Sequence, residues 1–337
     1  MAKIKRLFND PYDIVEEMVE GYVGAHKQYV KMCDLDEAQG RVVLANDAGT
    51  KDKVGVIIGG GSGHEPLFIG YVGEDFADAV VIGNINTSPS PDPCYAAAKA
   101  CDNGKGCIYL YGNYAGDVMN FDMGAEKADE EDDIRVETVL VTDDVVSSEN
   151  IPDRRGIAGD FFVFKVAGAK AATGADLDEV VAAAQKANDN TRSMGAMSSA
   201  TLPAKGGTIF DMEDGDMEIG MGIHGEPGIR RGKIDTADNV IDEIMEPILK
   251  DLPYVEGDEV YVLVNSLGAT PLIDLHVCYR RVAQILEEKG IKVYKALVGP
   301  FACSMDMAGM SVTLMKLDDE LKELMDAPCD TPYFTQK

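Results

Sequence analysis

Apolar positions along this chain follow two rhythms, one helical and one of short continuous runs. In residues 13–30, Ile14, Met18, Val19, Tyr22 and Val23 recur at helical spacing behind Asp10 and Pro11, which predicts a helix with a cap and a first-turn proline. Residues 54–58 and 79–83 are apolar runs that predict buried strands, 107–111 and 136–141 predict further strands, and helical patterns at 93–100 and 117–127 lie between them. Such alternation implies a largely parallel sheet with ligands at the carboxyl ends of its strands. Residues 154–190 hold two more helical stretches, one built on Phe161, Phe162, Phe164 and Val166 and one on Leu177, Val180 and Val181. Their aromatics read as core. The second half predicts strands at 197–201, 217–223, 259–264, 291–298 and 311–317, and helices at 237–250 and 271–289, the last with Thr270 as N-cap. A polar stretch at 188–192 divides the chain into two domains, 1–190 and 191–337. The fold class is α/β, each domain built on a mostly parallel or mixed sheet flanked by helices.

Two strand ends carry the chemistry. Residues 54–63 read V-G-V-I-I-G-G-G-S-G and run straight into His64-Glu65-Pro66, while residues 217–228 read M-E-I-G-M-G-I-H-G-E-P-G and contain His224. Glycine lets backbone approach a ligand closely, and a strand end opening into a loop is where rigid scaffold meets exposed chain. The chain has four histidines in all, so half of them occupy such settings. A histidine lone pair can add to an electrophilic carbonyl to give a hemiaminal, which selects ketones and aldehydes over polyols. A second histidine and a carboxylate could take the proton from a substrate hydroxyl, and His64 with Asp117, in the N-Y-A-G-D turn, form the natural pair. Backbone N–H groups at Gly61, Ser62 and Gly63 can bind the substrate's hydroxyls.

Six blocks in register resemble the substrate-binding subunits of dihydroxyacetone kinases: G-G-G-S-G-H-E-P from Gly59, T-S-P-S-P-D from Thr87, N-Y-A-G-D-V-M-N-F from Asn113, G-I-H-G-E-P-G from Gly222, N-S-L-G-A-T-P from Asn265 and S-M-D-M-A-G from Ser304. The resemblance implies a kinase in which His224 holds a short-chain ketose covalently, His64 and Asp117 handle the hydroxyl proton, and the loop at Gly61–Gly63 contacts the substrate. It also implies a separate helical nucleotide-binding subunit, carrying exchangeable ATP or a permanent ADP recharged by a phosphotransferase-system protein, with Mg on that partner, and a homodimer of this chain. One position departs from the family: Gly112 stands where a substrate-contacting lysine usually precedes the N-Y-x-G-D turn. Its loss removes a donor and opens space, which admits a four-carbon ketose such as erythrulose beside dihydroxyacetone. The alternative function is a non-catalytic sensor that binds ketose and reports to a transcription regulator; retention of both His64 and Asp117 favours the enzyme.

Composition narrows this further. A formal charge of −28 argues against nucleic acid and anionic membrane surfaces, which both require a positive patch. No apolar run approaches the roughly 20 residues of a membrane span, and the N-terminus lacks a signal-peptide core, so the expected location is cytoplasmic. The seven cysteines have no C-x-x-C pair and read as reduced, buried small hydrophobes, with no metal site expected. The acidic run 129–133 reads as a solvated loop between helix and strand, and the acidic stretch 211–218 misses the EF-hand spacing. No P-loop, dinucleotide fingerprint or nucleophile elbow occurs, so no cofactor is expected on this chain and the phosphoryl donor must arrive on another.

Overall fold

The computed structural model describes residues 7–199 and 212–337. The chain forms two compact units, and crosses between them at 141/142, 161/162, 187/188 and 320/321. Each half expected from the sequence therefore shares residues with both units.

The first unit, residues 7–141, 162–187 and 321–337, opens with α1 (Ile14–Ala25). Strands β1 (Val30–Met32), β2 (Val42–Ala45), β3 (Gly55–Ser62) and β4 (Ala79–Ile85) follow, then α2 (Pro91–Cys101), β5 (Cys107–Gly112), α3 (Ala115–Asp132) and β6 (Val136–Val141). Helices α4 (Asp160–Ala172) and α5 (Leu177–Asp189) come next. The sheet order is β1-β2-β4-β3-β5-β6, with β4, β3, β5 and β6 parallel and β1 and β2 antiparallel at one edge. Every residue of β3 is buried, as a continuous apolar run covered on both faces must be. Helices α2 and α3 meet at Gly124, where a Cβ would sit 2.5 Å from the Cβ of Cys94, so only glycine permits that approach.

The second unit holds residues 142–161 and 188–320. Its elements are β7 (Thr191–Ser199), β8 (Asp216–Ile219), β9 (Arg230–Lys233), α6 (Ala237–Asp251), β10 (Glu259–Ser266), α7 (Leu272–Glu288), β11 (Lys292–Gly299) and β12 (Ala308–Leu317). The order is β11-β10-β12-β7-β8-β9, and only β10 with β11 is parallel. Ile241, Ile244 and Ile248 of α6 and Val282 and Leu286 of α7 bury against Val260, Val262, Val264, Val312 and Leu314 of the sheet. The segment 142–161 is pinned here by Arg154, whose guanidinium donates to both oxygens of Asp251 at 2.8 and 2.6 Å, a fork geometry that arginine alone supplies. The chain then returns to the first unit with α8 (Asp319–Asp326), β13 (Cys329–Asp330) and β14 (Thr335–Gln336). Lys165 of α4 is fully buried and donates to the carbonyls of Leu324 (3.1 Å) and Ala327 (2.9 Å), closing the end of α8. Burial pushes its pKa down.

Several local expectations are corrected. The helix expected over 13–30 ends at Ala25, because Val30 enters an edge strand, and its N-cap is Asp13. Acidic residues 129–132 are the last turn of α3, not a loop, with Asp132 bound to Tyr95 Oη (2.6 Å) and Lys99 Nζ (3.1 Å). Thr270 does not cap α7; its hydroxyl donates to the Gly309 carbonyl at 2.7 Å, and Pro271 takes the cap position. The strand expected to reach residue 223 stops at Ile219, since Gly220 turns the chain with φ +76°. The stretch 211–218 falls partly outside the described residues. Six of the seven cysteines are buried and Cys278 is half-buried. Among the described residues no helix is long and apolar enough to cross a membrane.

Candidate functional site

In the first unit the parallel strands β3, β4, β5 and β6 end at one edge of the sheet, and the expected residues of this unit gather there. Gly61 and Ser62 are the last two residues of β3, and Gly63 turns the chain with φ +102°. Ser62 is buried and donates its hydroxyl to the Gly83 carbonyl at 2.8 Å, while its own carbonyl accepts from Asn86 N–H at 3.0 Å. These bonds tie the glycine loop to the end of β4. The serine hydroxyl thus serves the scaffold, and any substrate contact of this loop falls to its backbone. His64 follows directly and is 1% exposed, with Phe68 edge-on at 6.4 Å between ring centroids. Both carboxylate oxygens of Glu65 accept from Gly63 N–H, at 3.2 and 3.0 Å, and burial raises the pKa of that acid.

Gly112 ends β5 opposite Val141, and its carbonyl accepts from Tyr114 N–H at 2.8 Å. Three residues after Gly112 α3 begins, which puts the buried carboxyl of Asp117 in the first turn of that helix. A helix N-terminus stabilises a negative charge there. The Ser-Pro loop that follows β4 is joined to the same helix: Asn120 Nδ2 donates to Ser88 Oγ (3.2 Å) and to the Pro89 carbonyl (2.8 Å). Gly61, Ser62, Gly63, His64, Gly112 and Asp117 therefore share one sheet edge of one unit.

His224 belongs to the second unit. It sits in a turn five residues beyond β8, held by Met221 and Ile223, which bury with Ile157, Met197, Leu267 and Met307. The Ile223 carbonyl accepts from Ser304 Oγ at 2.6 Å. Ser304 is placed in turn by its N–H to the Leu267 carbonyl (2.8 Å), and Asn265 organises the neighbouring chain by accepting from Phe301 and Ala302 N–H at 2.9 Å each. Three sequence blocks more than 30 residues apart thus converge on one turn. The turn is closed by Gly222 N–H to the Glu226 carbonyl and Gly225 N–H to the Gly222 carbonyl, both 3.0 Å, with Gly225 at φ +85°. A Cβ on Gly222 would run into the Glu226 carboxylate and the Arg155 guanidinium.

The imidazole itself faces a carboxylate. His224 Nδ1 lies 3.2 Å from Glu226 Oε1, and His224 N–H donates to Glu226 Oε2 at 3.1 Å. Burial works to raise the Glu226 pKa, but the hydrogen bond and charge of His224, with Arg155 behind, hold it down at about 2. The carboxylate is therefore ionised, and faces Nδ1 as an acceptor. Arg155 Nη1 stands 3.8 Å from Glu226 Oε2, and the rest of its guanidinium binds Asp144 at 2.8 and 3.0 Å and the Gly220 carbonyl at 3.3 Å. Burial pushes Asp144 up to about 7 against the pull of Arg155. Sequence reasoning singled out neither Arg155 nor Glu226 as a site residue. Glu226 could have been found from its two-residue offset to His224; Arg155 lies 69 residues away in sequence and left no periodic signal.

The chain is a two-unit α/β protein whose glycine-framed histidines stand at a sheet edge and at a rigid turn, and α/β folds place ligand sites at such strand ends. A family model described as the Dak1 domain matches residues 20–333. The dihydroxyacetone-binding subunit DhaK of the PTS-dependent dihydroxyacetone kinase 2 of Listeria innocua is 60% identical over 332 residues, 98% of this chain and 99% of that protein. The L-erythrulose 1-kinase of Mycolicibacterium smegmatis is 43% identical over 97% of this chain, which spans 57% of that protein. Among solved structures, the native dihydroxyacetone kinase of C. freundii superposes with a TM-score of 0.89 at 30% identity, over 98% of this chain and 60% of that one. The chain belongs to the Dak1 family of dihydroxyacetone kinase substrate-binding subunits. At the level of the family, the expectation of a phosphotransferase of the dihydroxyacetone kinase type is met.

Proposed function

We propose that this chain captures a short-chain ketose as a hemiaminal on His224 and presents its terminal hydroxyl for phosphorylation by a partner. The observation that carries the reading is the imidazole set on a glycine turn with Nδ1 against an ionised carboxylate, 3.2 Å away. Once the imidazole is neutral, that arrangement keeps its proton on Nδ1 and leaves the lone pair on Nε2, the nucleophile that addition to a ketone requires. Asp117 and His64 take the hydroxyl proton as it attacks phosphorus, and the backbone of Gly61, Ser62 and Gly63 binds the substrate's oxygens. The nucleotide and its Mg belong to a separate helical subunit, ATP or an ADP recharged by a phosphotransferase-system phosphocarrier, and this chain works in the cytoplasm as a homodimer. Gly112 leaves room for a four-carbon ketose, and the 43% identity to an L-erythrulose 1-kinase supports testing one.

Intact-protein mass spectrometry after incubation with dihydroxyacetone, erythrulose and glycerol in parallel tests the reading. A ketose adduct, absent with glycerol and absent in His224→Ala, is expected. An adduct that survives His224→Ala refutes the assignment, and no adduct with either ketose refutes covalent capture.

A further inference from the structure

We infer that Arg155 is a positioning residue for His224: locked by Asp144 and the Gly220 carbonyl, its guanidinium holds the Glu226 carboxylate against Nδ1 and so fixes the tautomer that bears the lone pair on Nε2. This rests on the reading of His224 as the ketone-binding group. The evidence is a continuous set of contacts. Asp144 is 2% exposed and takes Nε and Nη2 of Arg155, at 3.0 and 2.8 Å. Backbone contacts fix the arginine's main chain as well: its N–H donates to Ser147 Oγ (3.0 Å) and its carbonyl accepts from Asp144 N–H (3.1 Å). The remaining nitrogen, Nη1, is aimed at Glu226 Oε2 from 3.8 Å, an ion pair rather than a hydrogen bond. Glu226 is thus held on three sides, by Arg155, by the His224 N–H and by His224 Nδ1.

A neutral imidazole has two tautomers, and the group facing one nitrogen decides between them. An ionised carboxylate can only accept, so it places the proton on Nδ1. When Nε2 adds to a carbonyl carbon, the C–N bond forms from the Nε2 pair and the carbonyl π pair moves to oxygen, which takes a proton from water. The ring becomes cationic, and its Nδ1 proton passes through Glu226 to solvent, which restores neutrality. Arg155 matters to this sequence because a protonated Glu226 would present a donor to Nδ1 and a displaced one would remove the acceptor, and either change lets the proton move to Nε2. Gly222 is the other half of the device, since any side chain there would drive the two charged groups apart.

The test uses the full chain labelled with 15N at histidine; four histidines keep the spectrum simple, and His224→Ala assigns the signal. The wild type is expected to show the Nδ1-protonated tautomer at His224. Arg155→Met should shift it toward a mixture and slow dihydroxyacetone adduct formation by about fivefold, the upper range for a lost, partly exposed ion pair. Arg155→Lys should recover part of both. If Arg155→Met fails to fold by circular dichroism, Glu226→Gln carries the test, because its amide can donate to Nδ1 and should reverse the tautomer. An unchanged tautomer and unchanged adduct rate in a folded variant overturn the proposal. The tautomer is read without ketose, so an adduct absent from wild type would sink the hemiaminal reading while leaving the positioning role decided by the spectrum.

Discussion

Replacing Glu226 by Gln gives the sharpest check on the electrostatics of the His224 turn. In the folded chain this carboxyl titrates at about 2, against 4.5 in an open chain. A group whose folded value is depressed contributes stability that is fully present above its unfolded value and is lost as pH falls through the folded one. Applied to these two values, linkage gives a loss of about 2 kcal/mol between about pH 7 and about pH 3. The side chain is 32% exposed, and screening by solvent reduces the expected loss to about 1 kcal/mol. Asp144 works in the opposite sense: its folded value, about 7, lies above 3.8, so its contribution declines as pH rises from about 4 to about 7. Both proteins keep Asp144, so it cancels from the difference between them. The chain has no tryptophan, which makes far-ultraviolet circular dichroism in urea the practical probe. The stability advantage of wild type over Glu226→Gln should shrink by about 1 kcal/mol between the two pH values. An equal gap at both would mean that His224 and Arg155 do not depress the Glu226 pKa, and the electrostatic account of this turn would be refuted.

Two further outcomes are expected. Asp117→Asn should retain the ketose adduct but lower turnover with a reconstituted partner by roughly 10²- to 10⁴-fold, the usual contribution of a positioned base; unchanged turnover would remove Asp117 from the proton transfer. Lys165→Met should destabilise the first unit by about 2 kcal/mol, because the carbonyls of Leu324 and Ala327 lose a buried donor, partly offset by no longer burying a charge; calorimetry showing no drop in melting temperature would mean that the ammonium is not the tie it appears from its contacts.

Much of the α/β alternation of the first unit could be read directly, and for a simple reason. Strands buried on both faces are continuous apolar runs, so residues 54–58, 79–83 and 107–111 announced β3, β4 and β5 within a residue or two at most ends, while β6 at the sheet edge was found from its place in the strand-helix alternation. The edge strand β9 gave no such signal: Arg230–Lys233 has no buried residue, and its pairing with β8 is decided by the partner strand. The interleaving of segments between the two units escaped a linear reading. The crossings at 141/142, 161/162, 187/188 and 320/321 carry no shared compositional mark, because which segments pack together depends on complementary surfaces far apart in the chain.

The site divides in the same way. Glycine-framed histidines are legible because glycine is required locally, wherever backbone must turn at positive φ or come close to another group, and His64 and His224 stand beside such glycines. The pairing of His224 with Glu226 is nearly local as well. The reach of Arg155 to that carboxylate and the support of the turn by Ser304 are not, since each joins residues more than 70 positions apart, and Asp144 holds Arg155 from 11 positions away with no periodic signal. By itself the sequence determined the residue types of the chemistry and the family of the chain. Only the tertiary structure decided which distant charge faces the imidazole, because the energy of an ion pair depends on separation and burial in space, and neither quantity is written in the order of residues.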